Sequence, residues 1–138
     1  MANQMVVFLL GQEHYGLPIS AVREIIVPPV IRSVPQAKEH VRGLINLRGK
    51  VISVLDLTGL LGLPSIPMAE KQRRIVVLER KDTLLGIEVD AVYEVTNLDD
   101  SKVELPPEYA GDSGYLAGIA NQGENLLLIL DVEKIFMH

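Results

Sequence analysis

The sequence has no cysteine among its 138 residues, which excludes disulfide bonds, thiolate metal sites and thiol nucleophiles. Tryptophan is also absent, and four tyrosines and two phenylalanines leave few rings on which nucleic-acid bases could stack. The formal net charge is −5, whereas a phosphate backbone attracts a basic surface. We therefore expect no nucleic-acid partner, and the missing thiols suit a reducing cytoplasm.

Long hydrophobic runs are missing as well. No apolar stretch approaches the roughly 18 residues that a membrane-spanning helix needs, and runs such as Leu126–Leu130 have the length of a strand. The first residues, MANQM, lack the basic start and the apolar segment of a secretion signal. These features predict a cytoplasmic protein without direct membrane insertion.

Catalytic and metal-binding motifs are also lacking. The three histidines at positions 14, 40 and 138 lie far apart and share no metal-ligand spacing. There is no nucleophile elbow, phosphate-binding glycine loop or dinucleotide fingerprint. The neighbouring carboxylates Asp99 and Asp100 fit a solvated turn better than a metal site. The sequence therefore predicts a protein that is not an enzyme and that needs no cofactor or metal.

What the sequence does contain is an internal repeat. Residues 6–26 align without a gap on 76–96, and residues 41–61 align on 116–136. The identical pairs are Val6/Val76, Val7/Val77, Gly16/Gly86, Ala21/Ala91, Val22/Val92, Glu24/Glu94, Gly43/Gly118, Asn46/Asn121, Leu55/Leu130 and Asp56/Asp131. Because two blocks recur in the same order, we infer a duplicated half of roughly 60 residues.

The two copies are expected to form one domain over residues 1–138, with approximate halves 1–66 and 67–138. Pro64, Ser65 and Pro67 lie between the copies and are typical of a linker.

Each half is rich in short runs of Val, Ile and Leu, bounded by Gly, Pro or polar residues. The runs are MVVFLL, HYGLPI, VIRSV, VRGLINL and KVISVLDL, and then RIVVLE, TLLGIEV, EVTNL, YLAGIAN and NLLLIL. Five short strands curl readily into a small barrel that hides the sheet edges. We predict a mostly β fold with two five-stranded barrels. The segments ISAVREI and DAVYEV could also form a single helical turn.

Asp56 and Asp131 occupy matching positions, each after a strand and before a short apolar stretch. One interpretation is a symmetric carboxylate pair for hydrolysis. The favoured interpretation is that each aspartate caps the first turn of a short helix.

Charge divides unequally between the halves. Residues 1–69 hold six Lys/Arg and four Asp/Glu, a net charge of +2, whereas residues 70–138 hold seven and fourteen, a net charge of −7. The simpler interpretation is a solubilising surface. The alternative is two faces for two partners.

One turn stands out, the sequence NLRGK at residues 46–50. Gly49 suits a hairpin turn with positive φ, and Arg48 would project from its tip, able to form paired hydrogen bonds with a partner carboxylate. The second copy reads NQGEN at residues 121–125, so the turn recurs without the arginine. An ordinary exposed turn arginine is the alternative interpretation.

These residues resemble the CheW family, the coupling proteins of bacterial chemotaxis. The resemblance runs from Val6 to Phe136 and rests most on the blocks GLINLRG and GIEVDAVYEV. It implies two SH3-like barrels that share a third core and exchange a strand, with no catalytic activity. It also implies an adaptor, recruited to membrane receptor arrays, that links chemoreceptor cytoplasmic tips to the regulatory domain of the histidine kinase CheA.

The resemblance further implies a receptor-binding site in a groove between the barrels. The matching positions are Val22, Glu24, Gly43, Arg48 and Val95, with Asn46 and Gly49 in the turn that presents the arginine. No residue can be assigned to the kinase contact.

The sequence departs from the family pattern after the turn. Ser53 replaces a common proline and Thr58 replaces a common arginine, which leaves the partner's identity open. An adaptor of the same fold in another chemosensory pathway, such as one for type IV pili, is therefore a second hypothesis. A small-ligand-binding or enzymatic β-barrel is a third, and it would require a deep pocket with converging polar groups.

Overall fold

The computed structural model describes residues 2–64, 70–106 and 114–137, which form eleven strands and two short helices. The strands are β1 (Ala2–Leu10), β2 (Glu13–Pro18), β3 (Val22–Ile26), β4 (Val41–Leu47), β5 (Lys50–Asp56), β6 (Arg74–Arg80), β7 (Thr83–Val89), β8 (Ala91–Asp99), β9 (Val103–Glu104), β10 (Leu116–Gln122) and β11 (Asn125–Leu130). The helices are α1 (Leu57–Leu60) and α2 (Val132–Phe136), and 3-10 turns occupy Ile19–Ala21, Glu70–Gln72 and Asp100–Lys102. The predicted mostly β fold is confirmed. Ser65 and Pro67 of the predicted linker lie outside the described residues.

The strands form two sheets, and each sheet combines both copies of the repeat. The five-stranded sheet has the order β3-β6-β7-β5-β4, and the six-stranded sheet has the order β8-β1-β2-β11-β10-β9. The five-stranded sheet takes β6 and β7 from the second copy and its other three strands from the first. The six-stranded sheet takes β1 and β2 from the first copy and its other four strands from the second. Four strand pairs join the copies: β2 with β11 and β5 with β7 are parallel, and β1 with β8 and β3 with β6 are antiparallel. The pairs within each copy are all antiparallel.

Two strand predictions need correction. The run VIRSV forms no strand and contributes a single bridge between Arg32 and Leu44, because prolines at 28, 29 and 35 flank it and cannot donate ladder hydrogen bonds. The corresponding segment of the second copy forms β9, a two-residue strand that pairs with β10. This sheet therefore has six strands, whereas five were predicted. Of the two possible helical turns, ISAVREI contains the 3-10 turn at Ile19–Ala21, whereas DAVYEV is extended in β8.

Buried apolar residues form three clusters. One lies within the five-stranded barrel and contains Ile45, Ile52, Val54, Ile75 and Val77. A second lies within the six-stranded barrel and contains Met5, Val7, Leu98, Ala120, Leu127 and Ile129. The third is the largest and draws on both sheets and α2, with Phe8, Leu17, Leu55, Leu57, Leu78, Ile87, Leu130 and Ile135 among its members. This shared core fixes the two barrels to each other.

The two matching aspartates differ in their capping. Asp131 caps α2, because its Oδ1 accepts a hydrogen bond from the Lys134 backbone N–H at 3.3 Å. Asp56 precedes α1 without a side-chain capping bond, so the capping prediction is wrong at this position. The helix that follows Asp56 is a single turn of four residues, and Asp56 instead lines a polar cavity together with Arg42 and Arg73.

Candidate functional site

The arginine-bearing turn joins β4 to β5 as a two-residue hairpin loop. Leu47 pairs with Lys50, and the loop residues Arg48 and Gly49 have φ angles of 53° and 86°. Positive φ at both central positions is the pattern of a type I′ turn, whose twist matches that of paired strands. The Asn46 side-chain oxygen accepts a hydrogen bond from the Gly49 N–H at 2.9 Å. The predicted turn is therefore present, and Asn46 stabilises it.

Arg48 does not point freely into solvent. Its two terminal nitrogens donate hydrogen bonds of 2.8 and 2.9 Å to the two carboxylate oxygens of Glu24 on β3. The Arg48 side chain is 75% exposed and that of Glu24 is 19% exposed. The paired hydrogen bonds predicted for a partner's carboxylate are thus made to a residue of the same chain.

This ion pair has a specific place in the sheet. Strands β3 and β4 are the two edges of the five-stranded sheet, and Arg48 follows β4 whereas Glu24 lies on β3. The Arg48–Glu24 pair therefore joins the two edges at one end of the barrel. It leaves three of the five guanidinium N–H groups without an intramolecular partner among the described residues.

Gly43, on β4, is buried and has a φ of 153°. A Cβ atom at this position would overlap the carbonyl oxygen of Arg32. Arg32 pairs with Leu44 through two backbone hydrogen bonds of 2.8 Å, so its carbonyl cannot move without loss of the bridge. Gly43 therefore permits close packing of the 27–40 segment on β4.

The two valines lie apart. Val22 begins β3, the strand of Glu24, and packs against the shared core. Val95 is 52% exposed on β8 of the six-stranded sheet, where it pairs with Val6. Hydrogen bonds thus link Glu24 to Arg48 and Asn46 to Gly49. Val22 lies on the strand of Glu24, and Gly43 lies on the strand of Asn46. Val95 belongs to the other sheet.

A second charged cluster, not predicted from the sequence, surrounds Glu88. Glu88 on β7 is 10% exposed and lies 3.0 Å from Arg42 Nε and 3.6 Å from Arg73. These residues line a polar cavity of about 240 Å³ together with Thr58. No sequence signal joins Arg42 to Glu88 and Arg73, because β4 belongs to the first copy whereas β6 and β7 form a hairpin of the second.

Direct signs of metal or membrane chemistry are absent from the described part of the chain. Residues 2–64, 70–106 and 114–137 contain no group of three or more His, Asp or Glu side chains suited to a metal ion, and His138 lies outside these residues. No helix in the same ranges is long and apolar enough to cross a membrane.

The hairpin between β10 and β11 is the counterpart of the arginine-bearing turn. Gln122 pairs with Asn125, and Gly123 has a φ of 65°. A groove of about 520 Å³ opens beside this turn.

Comparisons with known proteins agree with this architecture. A family model described as the CheW-like domain matches residues 4–138. The chain is 32% identical to the chemotaxis protein CheW of Treponema pallidum, over 96% of this chain and 81% of that protein. It is 33% identical to the chemotaxis protein CheW of Helicobacter pylori, over 96% and 80%. It is 30% identical to the protein PilI of Pseudomonas aeruginosa, over 88% and 68%.

A solved structure is similar over nearly the whole chain. The scaffolding protein TtCheW from Thermoanaerobacter tengcongensis superposes with a TM-score of 0.88 at 34% identity, covering 96% of this chain and 86% of that one. This likeness and the family match confirm the resemblance seen in the sequence. The chain therefore belongs to the CheW family and is a non-catalytic scaffolding protein.

Proposed function

We propose that this scaffold couples the cytoplasmic tips of chemoreceptors to the histidine kinase CheA. The observation that carries the proposal is the Arg48–Glu24 pair, an exposed guanidinium held in one orientation by two hydrogen bonds. Several relatives over nearly the full chain are named as chemotaxis proteins CheW, which supports the same role.

The receptor side of the proposal uses the residues predicted from the sequence. Arg48 is fixed in advance, so a partner that accepts its remaining N–H groups does not have to order a long side chain, which otherwise costs about 0.5–1.5 kcal/mol. Asn46 and Gly49 shape the turn and Gly43 seats the strand beneath it. Val22 and Val95 would supply apolar surface for a receptor helix, and Glu24 would hold the arginine in register.

The kinase side is a separate surface, to which no residue is assigned. Without catalytic groups, the adaptor would transmit a signal as a change in packing or orientation between two partners held on one rigid body. The shared core supports this, because it ties the two barrels together. The adaptor would act in the cytoplasm beneath membrane receptor arrays.

Co-sedimentation tests the proposal. The protein is mixed with the receptor signalling domain and CheA of its own organism, with each alone and with both together. We expect binding to each partner and a ternary complex. Failure to bind either partner would contradict the proposal.

Arg48→Glu tests the role of the turn in the same experiment. We expect loss of most receptor binding, while CheA binding persists and the thermal midpoint changes little. The control is Arg23→Glu, because Arg23 forms an exposed ion pair with Glu79 at 3.1 Å but lies outside the turn. Equal losses in both variants would show that charge alone, and not this arginine, matters.

An adaptor in another chemosensory pathway is the second candidate. It is favoured by the 30% identity to PilI and by Thr58 in place of the common arginine. Binding assays against receptors and kinases of each chemosensory cluster in the organism would separate the two candidates.

A further inference from the structure

The two barrels differ at the end that carries the hairpin turn. In the five-stranded barrel this end is filled by apolar side chains, since Ile26, Leu47 and Leu84 all pack against its core. The repeat places Thr96, Gln122 and His14 at the corresponding positions of the six-stranded barrel. Three apolar residues that fill one barrel end are thus polar in the other.

The polar end is open. His14, Thr96 and Gln122 line the groove of about 520 Å³, and buried Val7 and Leu98 form part of its wall. Gly123 stands at the position of Arg48, so the groove lacks the side chain that spans the first barrel end. The groove is therefore the space that the repeat leaves when its arginine is removed.

The acceptor for that arginine is still present. Glu94 on β8 matches Glu24 on β3 in the repeat, and it lines the groove. Glu24 accepts two hydrogen bonds from Arg48, whereas the Glu94 carboxylate has no hydrogen bond or ion pair with another residue in the described ranges. A second carboxylate, Asp99, and one ammonium group, Lys102, also line the groove, which leaves its charge negative.

An aromatic ring completes the site. Tyr93 lines the groove, is 59% exposed and contacts His14 edge to face, with ring centroids 4.9 Å apart. An exposed tyrosine face favours a guanidinium group through cation–π attraction. The open groove, its negative charge and the exposed tyrosine ring thus all favour a guanidinium group.

We propose that this groove binds an arginine side chain of a partner protein. The partner's guanidinium group would donate paired hydrogen bonds to the Glu94 carboxylate, as Arg48 does to Glu24. The first copy of the repeat supplies its own arginine and the second accepts one from outside. The groove lies on the six-stranded sheet, whereas Arg48 and Glu24 lie on the five-stranded sheet, and its test does not depend on the partners proposed above.

The first test is a nuclear magnetic resonance titration of the ¹⁵N-labelled full chain with the tripeptide acetyl-Gly-Arg-Gly-amide. We expect saturable shifts at the amides of Glu94, Thr96, Gly123 and Asn125. The matched peptide with citrulline has the same shape without the charge, and we expect at least a ten-fold weaker response. Equal responses to the two peptides, or no saturable shift with arginine, would overturn the proposal.

Two variants sharpen this test. Glu94→Gln should weaken the arginine peptide at least ten-fold, whereas Glu104→Gln, an equal charge change at an exposed residue of the same sheet outside the groove, should leave it unchanged. If Glu94→Gln binds as tightly as the parent chain, Glu94 is not the acceptor and the proposal fails.

A double variant places an arginine in the turn beside the groove. The double change Gly123→Arg and Glu124→Gly reproduces the Arg48–Gly49 loop, in which both residues have positive φ. Its arginine should bond Glu94 within the chain and abolish peptide binding. A folded double variant that binds the peptide normally would contradict the proposed geometry.

Discussion

Arg48 and Glu24 form two hydrogen bonds of 2.8 and 2.9 Å between the two edges of one sheet. Exposed ion pairs contribute about 0–1 kcal/mol to stability, so this pair cannot be explained mainly by folding energy. Its geometry does fix the direction of an otherwise flexible side chain. A role in orienting Arg48 for a partner accounts for both observations.

Glu24→Gln tests that orienting role. The arginine remains, but its charged acceptor is lost, so we expect several-fold weaker receptor binding and a change in unfolding free energy below about 1 kcal/mol. Isothermal titration and urea denaturation measure the two quantities. The control is Glu79→Gln, which releases Arg23 in the same way. Receptor binding by Glu24→Gln equal to that of the parent chain would show that Arg48 needs no fixed orientation.

Gly43→Ala should destabilise the fold more than Gly49→Ala. Both glycines have positive φ, but only at Gly43 would the added Cβ overlap backbone, whereas Gly49 has open space. We expect about 1–2 kcal/mol at Gly49 from the backbone conformation alone and a clearly larger loss at Gly43. Urea denaturation of both variants measures the difference. Similar losses would show that the Arg32 segment moves aside easily.

Leu55→Ala tests whether the shared core couples the barrels. Leu55 is fully buried on β5 within that core, so truncation should cost about 2–5 kcal/mol. Because both sheets contribute to the core, amides in both should lose protection together in hydrogen exchange. Loss confined to the five-stranded sheet would show that the barrels unfold independently.

The two aspartates before the helices should respond differently to alanine. Asp131→Ala removes a capping hydrogen bond and should cost about 0.5–1 kcal/mol. Asp56→Ala removes no such bond, so its cost should be smaller. Thermal denaturation of both variants measures the difference. Equal losses in the two variants would contradict this assignment.

The pair formed by Arg80 and Glu133 predicts a pH effect. The Arg80 side chain donates a 2.6 Å hydrogen bond to Glu133 on α2, and this bond lowers the pKa of Glu133 below its ordinary value. A carboxyl group with a lowered folded-state pKa adds stability above its unfolded pKa of about 4.3, and this stability is lost as the pH falls through the folded value.

Arg80→Gln should therefore reduce stability at neutral pH and have no effect once Glu133 is protonated in both states. Thermal midpoints of the parent and the variant, measured from neutral pH down to about pH 3, should converge at the acid end. In a Glu133→Gln background, Arg80→Gln should lose this pH dependence. A constant difference at every pH would point to lost packing and not to the ion pair.

Local sequence patterns predicted much of the fold. The predicted alternation reappears at the end of β7, where Ile87 and Val89 are buried, while Glu88 and the following residue Asp90 are half-buried. Gly49 occupies the predicted tight turn. What failed depended on distant partners. Glu24 and Arg48 are 24 positions apart and meet only when the sheet curls and brings its edges together. The cavity that Asp56 lines with Arg42 and Arg73 likewise brings together residues that are distant in the sequence.

The exchange of strands between the copies has an evolutionary consequence. A single copy that paired in this way could complete its sheets only with a second identical chain, as a homodimer with two-fold symmetry. Such a dimer must present the same turn twice, so any mutation changes both surfaces. Joining the copies in one chain removes that constraint, and Arg48 and Gly123 show two equivalent turns that have since diverged.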